Sequence, residues 1–379
     1  MPRKPNKENR AVRCRAYLSG AQLEAAMRTI GCCRYVYNEA LSYEDAEYCE
    51  HSRHVSYEDL TSRLPGMKKR LPWLKDADSS ALQQSLRHLD TAYRNFFERR
   101  ARFPKYKSKH RSRWSYTTLC INNNIRFEDG FLVMPKIGRV RIVLTRDIPA
   151  GWKLKSATLT VERDQTVYIS CCFEYEAAPV SYVPDVNNAI GLDYKSDGFY
   201  VDSGGNTCGS PKYMRKTQDV LTRRQRKLRH KKKGSRNYAK QKARIARIYR
   251  HAANQRLDFC HKLSAGIANR YDIVCVEDLD LKAMADKGTG NGKATMDNAW
   301  GMFLRFLEYK LRARGKALVK VGRWFPSSQI CSACGARHAM PLSVRTYVCP
   351  ECGAVMDRDE NAAANILKEG IRLYLLATA

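Results

Sequence analysis

Four cysteines near the C-terminal end constrain this chain more tightly than any other feature. Cys331-Ser-Ala-Cys334 and Cys349-Pro-Glu-Cys352 are both CxxC pairs, and fourteen residues separate them. Gly335 and Gly353 follow the two pairs and permit the tight turns of metal knuckles. Two such pairs at this spacing bring four thiolates to one point, the ligand set of a tetrahedral zinc site. Protein ligands fill all four positions, so the expected zinc is structural and has no open place for substrate. A zinc ribbon is therefore expected over residues 327–356.

The remaining cysteines of the fourteen are scattered and include the adjacent pairs Cys32–Cys33 and Cys171–Cys172. Adjacent thiols and apolar settings such as Ile-Val-Cys275-Val read as reduced and buried, which fits a cytoplasmic protein better than a disulfide framework. The basic N-terminal stretch is followed by no apolar segment of the secretory kind, and no apolar run has the length of a membrane span. No membrane partner is expected. The 68 Lys and Arg against 38 Asp and Glu leave a formal charge of +30. An excess of that size calls for a polyanion, and nucleic acid is the usual one. With 379 residues, 44% of them hydrophobic, the chain is long enough for two or three globular domains.

The hydrophobic pattern divides the chain. Residues 10–17 read as a strand, and Gln22 to about Arg100 repeats apolar residues at helical spacing, with Asp78 or Ser79 as a cap for the later helix. The basic and aromatic stretch 103–116 contains Pro104 and is not a regular helix; its Lys105, Lys107 and Lys109 read either as a nucleic-acid grip or as an ordinary loop. Residues 117–185 alternate as strands, with a turn at Asp129-Gly130. They predict a small barrel or sandwich that includes the strand near residues 10–17, and a linker at Val183-Pro184. From residue 188 the pattern becomes α/β: a hairpin in NAIGLDYKSDGFYVDSGGN, a buried parallel-type strand in YDIVCVEDL, a strand in ALVKVGRWF and a closing helix in DENAAANILKEGIRLYLL. Between the first two lies a long basic segment, 212–256, with a turn at Gly234-Ser235 that predicts a helical hairpin. Its Arg223, Arg224, Arg226, Arg229, Lys231, Lys232, Lys233 and Arg236 are read as contacting nucleic acid rather than as a merely solvated face.

Three acids stand where a sheet or helix end would present them. Asp193 lies on the first strand of the hairpin, Glu277 ends the run Ile273-Val-Cys-Val276, and Asp359 begins the closing helix. Carboxylates from two strands and a helix can converge at one sheet edge, and oxygen ligands suit a hard cation such as Mg²⁺. Two such ions can activate water and stabilise the leaving oxygen of a phosphodiester. Taken singly, an Asp at a helix start also reads as a cap and a Glu at a strand end as a solvated group.

Taken together the motifs resemble the TnpB family, insertion-sequence-encoded relatives of type V CRISPR effectors. The resemblance is carried by Gly31-Cys-Cys-Arg-Tyr-Val-Tyr-Asn38, by Phe103-Pro-Lys-Tyr-Lys-Ser-Lys109, by Asn254-Gln-Arg-Leu-Asp-Phe-Cys-His-Lys262 and, most specifically, by the zinc-ribbon cysteines running directly into Asp359-Glu-Asn-Ala-Ala363. It implies a multidomain α+β protein: an RNase H-like (RuvC) α/β core with the inserted zinc ribbon, a helical lobe and the small β-domain. The boundaries are then 1–20 and 111–185 for the β (wedge) domain, 21–110 for the helical recognition lobe, 186–326 for the nuclease domain, 327–356 for the ribbon and 357–379 for the last nuclease helix. It makes Asp193, Glu277 and Asp359 a Mg²⁺-binding catalytic triad, with Asp359 chosen over the nearby Asp357 because it occupies the first position of D-x-N-A-A. It implies a guide RNA derived from the transposon end, and double-stranded target DNA cut beside a short adjacent motif by one monomeric protein in a prokaryotic cytoplasm. The family often has glycine two residues after the first Asp, where this chain has Lys195. The alternatives are a guided repressor that does not cut and a transposase or recombinase on the same fold.

Overall fold

The computed structural model describes residues 6–177, 180–286, 292–341 and 344–378. They form two compact units, Met1–Ala178 and Pro179–Ala379. In the first unit, strand β1 (Asn6–Tyr17) leads into helices α1 (Gly20–His51), α2 (Tyr57–Ser62), α3 (Leu64–Arg70) and α4 (Ser79–Phe97). Six strands follow: β2 (Trp114–Leu119), β3 (Arg126–Glu128), β4 (Phe131–Met134), β5 (Gly138–Val143), β6 (Lys153–Val161) and β7 (Val167–Ala177). Helix α1 starts in a capping box. The Ser19 hydroxyl accepts from the Gln22 N–H, and the Gln22 side chain accepts from the Ser19 N–H. Ile30, Cys33, Tyr37, Ala40 and Leu41 form its buried stripe, and α4 presents Leu82, Leu86, Leu89 and Tyr93 to the same core. Asp78 is the N-cap of α4 and accepts from the Ser80 N–H at 3.2 Å.

The strands make one antiparallel sheet in the order β2-β6-β7-β1-β5-β4-β3. The turn between β3 and β4 places Asp129 and Gly130 at φ 45° and 80°, the left-handed pair that a two-residue hairpin needs. Four strand steps separate β7 from β3, about 19 Å across a flat sheet. Yet Phe173 on β7 and Phe127 on β3 stack with centroids 6.0 Å apart. The sheet therefore rolls on itself around an apolar interior. It is an open roll with β2 and β3 as edges, where a barrel or sandwich was expected.

The second unit opens with β8 (Ala189–Tyr194), β9 (Tyr200–Asp202) and β10 (Thr207–Cys208), followed by α5 (Tyr213–Arg229), α6 (Arg236–Arg270), β11 (Ile273–Glu277), α7 (Leu281–Met284), α8 (Gly292–Asn298), α9 (Trp300–Arg312) and β12 (Ala317–Val321). It closes with β13 (Thr346–Val348), β14 (Val355–Asp357) and α10 (Arg358–Thr378). The main sheet runs β10-β9-β8-β11-β12, with β8, β11 and β12 parallel and the hairpin antiparallel. Both faces are covered, which is why β11 is apolar from Ile273 to Val276, up to the carboxylate at its end. Val274, Val276, Ile190 and Leu192 pack under α6 and α9 with Trp300, Phe303 and Leu307. Ile273 and Cys275 pack under α10 with Ile366 and Leu367. Two glycines let α10 come close. A Cβ at Gly191 would overlap the Ala363 carbonyl oxygen, and one at Gly370 would overlap the Cys275 sulfur. This close seating fixes where the first turn of α10 lies over the sheet.

Candidate functional site

Asp193 and Glu277 are brought side by side by the parallel ladder. The register pairs Cys275 with Gly191 and Val276 with Leu192, so the next step along it sets Glu277 beside Asp193. Side chains alternate along a strand, so both carboxylates share the face of Gly191 and Cys275, the face α10 covers. Asp359, 6% exposed, stands in the first turn of that helix. The three groups feel one another. Burial, then the charges of Asp359 and Glu277, push the Asp193 carboxyl up to about 8. Burial also raises Glu277. Burial would raise Asp359 too, but a hydrogen bond from Lys195 and the charges of Lys195, Arg358 and Arg345 outweigh it and hold this carboxyl below its ordinary value. Lys195 Nζ lies 3.0 Å from its Oδ2, while Arg358 and Arg345 approach Oδ1 at 3.3 and 3.7 Å.

Asp357, the neighbour in the motif, is differently placed. It is exposed, and its Oδ1 accepts from the N–H groups of Asp359 and Glu360 at 2.8 and 3.2 Å, as a helix cap does. Asn361 and Asn365 lie one turn apart on one face of α10. Asn361 accepts from the Ser332 N–H at 2.8 Å and donates to the Ile330 carbonyl at 2.7 Å; Asn365 donates to the Ser327 carbonyl at 2.8 Å. These asparagines tie the first cysteine knuckle to the helix that carries Asp359. The sequence reading gives them no role; two amides four apart, next to the apolar Ala362, Ala363 and Ile366, are the signal that could have found them.

The four predicted cysteines come together. Among the described residues they are the one group of three or more His, Cys, Asp or Glu side chains with donor atoms all within 4.8 Å of one another; the three carboxylates do not form such a group. Cys331 and Cys352 sulfurs are 3.7 Å apart, and Cys334 and Cys349 sulfurs 3.6 Å. Four thiolates around one zinc at 2.3 Å would stand about 3.8 Å apart, so the spacing fits. The two knuckles repeat each other. The Gly335 N–H donates to the Cys331 carbonyl and the Gly353 N–H to the Cys349 carbonyl, both at 2.9 Å, with the glycines at φ 81° and 71°. The Cys334 and Ala333 N–H groups pull the Cys331 thiol down, while the crowded neighbouring thiols leave those of Cys334 and Cys352 raised.

The basic positions split into two sets. Helices α5 and α6 form a hairpin around Gly234, at φ 83°, and Ser235, which caps α6 by accepting from the Tyr238 N–H. Leu221, Gln241 and Ile245 are buried along the hairpin. Arg223, Arg226, Arg229, Lys232, Lys233 and Arg236 are exposed, and Arg224 and Lys231 partly so. In the first unit Lys105 and Lys109 are exposed, but Lys107 is not a free cation. Its ammonium sits 3.6 Å from the Tyr37 ring centre, and burial pulls it down to about 8. Asn38 bonds both the N–H and the carbonyl of Lys107, at 2.8 and 2.9 Å. The two N-terminal motifs thus hold each other.

Comparison with known proteins places this chain. A curated protein of Streptomyces pristinaespiralis, described as a "Putative RNA-guided DNA endonuclease", is 36% identical over 368 residues, covering 96% of this chain and 89% of that one. The chain belongs to the TnpB family. A second member, InsQ of Escherichia coli K12, carries the same description and is 30% identical over 93% of this chain and 90% of its own length. Three family models match in turn: "Helix-turn-helix domain" of the IS605 OrfB type over residues 8–53, IS605 OrfB "Probable transposase" over 170–288, and "Cas12f1-like, TNB domain" over 300–366. In this TnpB relative the first match covers a strand and one long helix, β1 and α1. A solved Cas12f1–sgRNA–target DNA complex aligns over 96% of the chain and 99% of that protein, at 12% identity and a TM-score of 0.49.

Proposed function

We propose that this chain is an RNA-guided DNA endonuclease of a transposable element, with Asp193, Glu277 and Asp359 as its catalytic carboxylates. The observation that carries the reading is their meeting at one end of a sheet. Two neighbouring parallel strands and the helix seated on them supply one acid each, and Asp193 feels both of the others. The mixed five-stranded sheet with helices on both faces supports an RNase H-like, RuvC-type core. The donor set is all carboxylate oxygen in a part-buried place of crowded negative charge, which suits Mg²⁺. Magnesium bound there would supply an activated water and stabilise the leaving oxygen of a phosphodiester. Asp193 and Glu277, on rigid strands, fix two ligand positions; Asp359 supplies a third from α10. The four cysteines hold a structural zinc that keeps the first knuckle on α10.

The partners follow from charge and family. A guide RNA from the transposon end, paired to target DNA, would be held by its backbone, and protein side chains would read only a short motif beside the target. The α5–α6 hairpin supplies a one-signed surface for phosphates. Trp324, 90% exposed and three residues beyond β12, is placed to stack on an unpaired base past the same sheet end as Glu277. No helix among the described residues is long and apolar enough to cross a membrane, and a single protein copy in a prokaryotic cytoplasm is the proposed working form. Changing Arg223, Arg226, Arg229 and Arg236 together to Gln should weaken RNA binding. The slope of log K against log salt should fall by roughly 0.7–0.9 for each phosphate that is no longer neutralised. Filter binding between low and moderate salt checks this; an unchanged slope would remove the hairpin from the interface.

The reading is tested by co-expressing the protein with the DNA that flanks its gene, reprogramming the terminal segment of the co-purified RNA, and offering a plasmid library randomised beside the matching target with Mg²⁺. Cutting should need both the guide match and one short flanking motif. Absence of co-purified RNA, or cutting indifferent to the guide, would refute it.

A further inference from the structure

Lys195 stands in the turn from β8 to β9, two residues past Asp193. Its ammonium lies 3.0 Å from Asp359 Oδ2, and two arginines take Oδ1. Both oxygens of one proposed metal ligand are thus engaged by the chain's own cations. This is a built arrangement. The Lys195 side chain is only 26% exposed, and its stem lies over Gly198, where a Cβ would come within 3.4 Å of its Cδ. Asn298, 2% exposed at the end of α8, pins the turn by donating to the carbonyls of Ser196 and Gly198, each at 3.0 Å. The same amide nitrogen lies 3.2 Å from the Tyr194 hydroxyl.

The three carboxylates repel one another, and this repulsion must be offset in any form of the protein that lacks the divalent ion. A lysine ammonium is a compact single charge on a flexible stem, suited to offset it reversibly. Two cations at one carboxylate oxygen repel each other, so the ammonium and a bound ion compete for it. A magnesium ion held by Asp359 would bring a second positive charge to the carboxylate that the ammonium already neutralises. The two arginines differ. Arg345 is 62% exposed, and both arginines lie farther from the carboxylate than the lysine does.

We propose that Lys195 is a built-in counterion of the carboxylate site. It holds Asp359 when no divalent ion is bound, competes with that ion for Oδ2, and is displaced as the ion enters. Lys195 thereby sets the divalent-ion concentration at which the site fills. The proposal rests on the catalytic reading of the three carboxylates.

The test uses the full-length protein with Mn²⁺ as the probe, its binding followed by electron paramagnetic resonance. Wild type is compared with Lys195→Met, Lys195→Arg and Asp193→Asn, and melting is recorded in chelator and in saturating Mn²⁺. Lys195→Met should bind Mn²⁺ about tenfold more tightly, ~1.4 kcal/mol, and Lys195→Arg should stay within about threefold of wild type. In chelator Lys195→Met should melt below wild type, and saturating Mn²⁺ should close the gap. Unchanged or weaker Mn²⁺ binding in Lys195→Met, where Asp193→Asn has lost the ion, would overturn the counterion role while leaving the catalytic reading intact. If Asp193→Asn binds Mn²⁺ as wild type does, the carboxylates are not the metal site, and the catalytic reading falls with this inference.

Discussion

Asp359→Asn should slow DNA cleavage by on the order of 10³-fold or more, while Asp357→Ala should cut within a few-fold of wild type. The two acids are neighbours in one motif, yet they differ in environment. Asp359 is buried and faces Lys195 and the arginines, beside the ends of β8 and β11. Asp357 is exposed and spends its Oδ1 on the N–H groups of the first turn. Losing a cap costs about 1 kcal/mol of stability and no chemistry. Losing a carboxylate that holds the proposed metal would remove charge that stabilises the transition state. Single-turnover cleavage at saturating Mg²⁺, with target binding measured in parallel, separates the two. Asp359→Asn should retain guide-dependent DNA binding. A reversed order of effects would transfer the catalytic role to Asp357.

Removing the zinc proposed for the four cysteines should have the second large effect, through a path of named contacts. The knuckle at Cys331–Cys334 is held to α10 by the Ser332 N–H on Asn361 and by the Ile330 and Ser327 carbonyls on Asn361 and Asn365. That helix seats on β8 through Gly191 and on β11 through Gly370, and it carries Asp359. A ribbon of a few short strands has little core: Cys331, Tyr347 and Cys349 are its fully buried side chains. Ribbons with so little core depend on a bound metal for their fold. Cys349→Ser should therefore cost about 4 kcal/mol or more in stability and reduce bound zinc to well below one per chain. Cleavage should fall by roughly 10²-fold, because α10 carries the proposed catalytic Asp359 and a misplaced catalytic group is costly. Thermal melting, metal analysis and cleavage on one preparation check this. Full activity after complete loss of zinc would show that α10 holds its place without the ribbon.

Much of the architecture was legible because it is written in local chemistry. Asp129-Gly130 announces its turn by the left-handed backbone both residues adopt, Gly234-Ser235 announces the hairpin by a break and a cap, and the apolar run before Glu277 announces a strand covered on both faces. The reading failed where the deciding contact is distant or the pattern is weak. The run ALVKVGRWF looks like one strand, but β12 stops at Val321 and Trp324 projects into solvent. Helices α7 and α8 are too short for a helical period, and α9 was not read although Trp300, Phe303 and Leu307 form its buried stripe. Lys107 looked like its neighbours Lys105 and Lys109 because nothing in the sequence says that it lies over Tyr37. At the carboxylates, the positions at strand and helix ends suggest three acids converging on one sheet edge, but only the fold shows that Lys195 reaches Asp359.

The most direct test of one guided active site is strand-resolved cleavage. The complex with a matched guide is given a target labelled differently on its two strands, and single-turnover rates are followed for wild type and Asp193→Ala. The account predicts that both strands are cut by wild type in the presence of Mg²⁺ and that both cuts vanish together in Asp193→Ala, while guide-dependent binding persists. Continued cutting of either strand by Asp193→Ala would contradict it, since that strand would then be cut by chemistry lying outside the carboxylates of β8, β11 and α10.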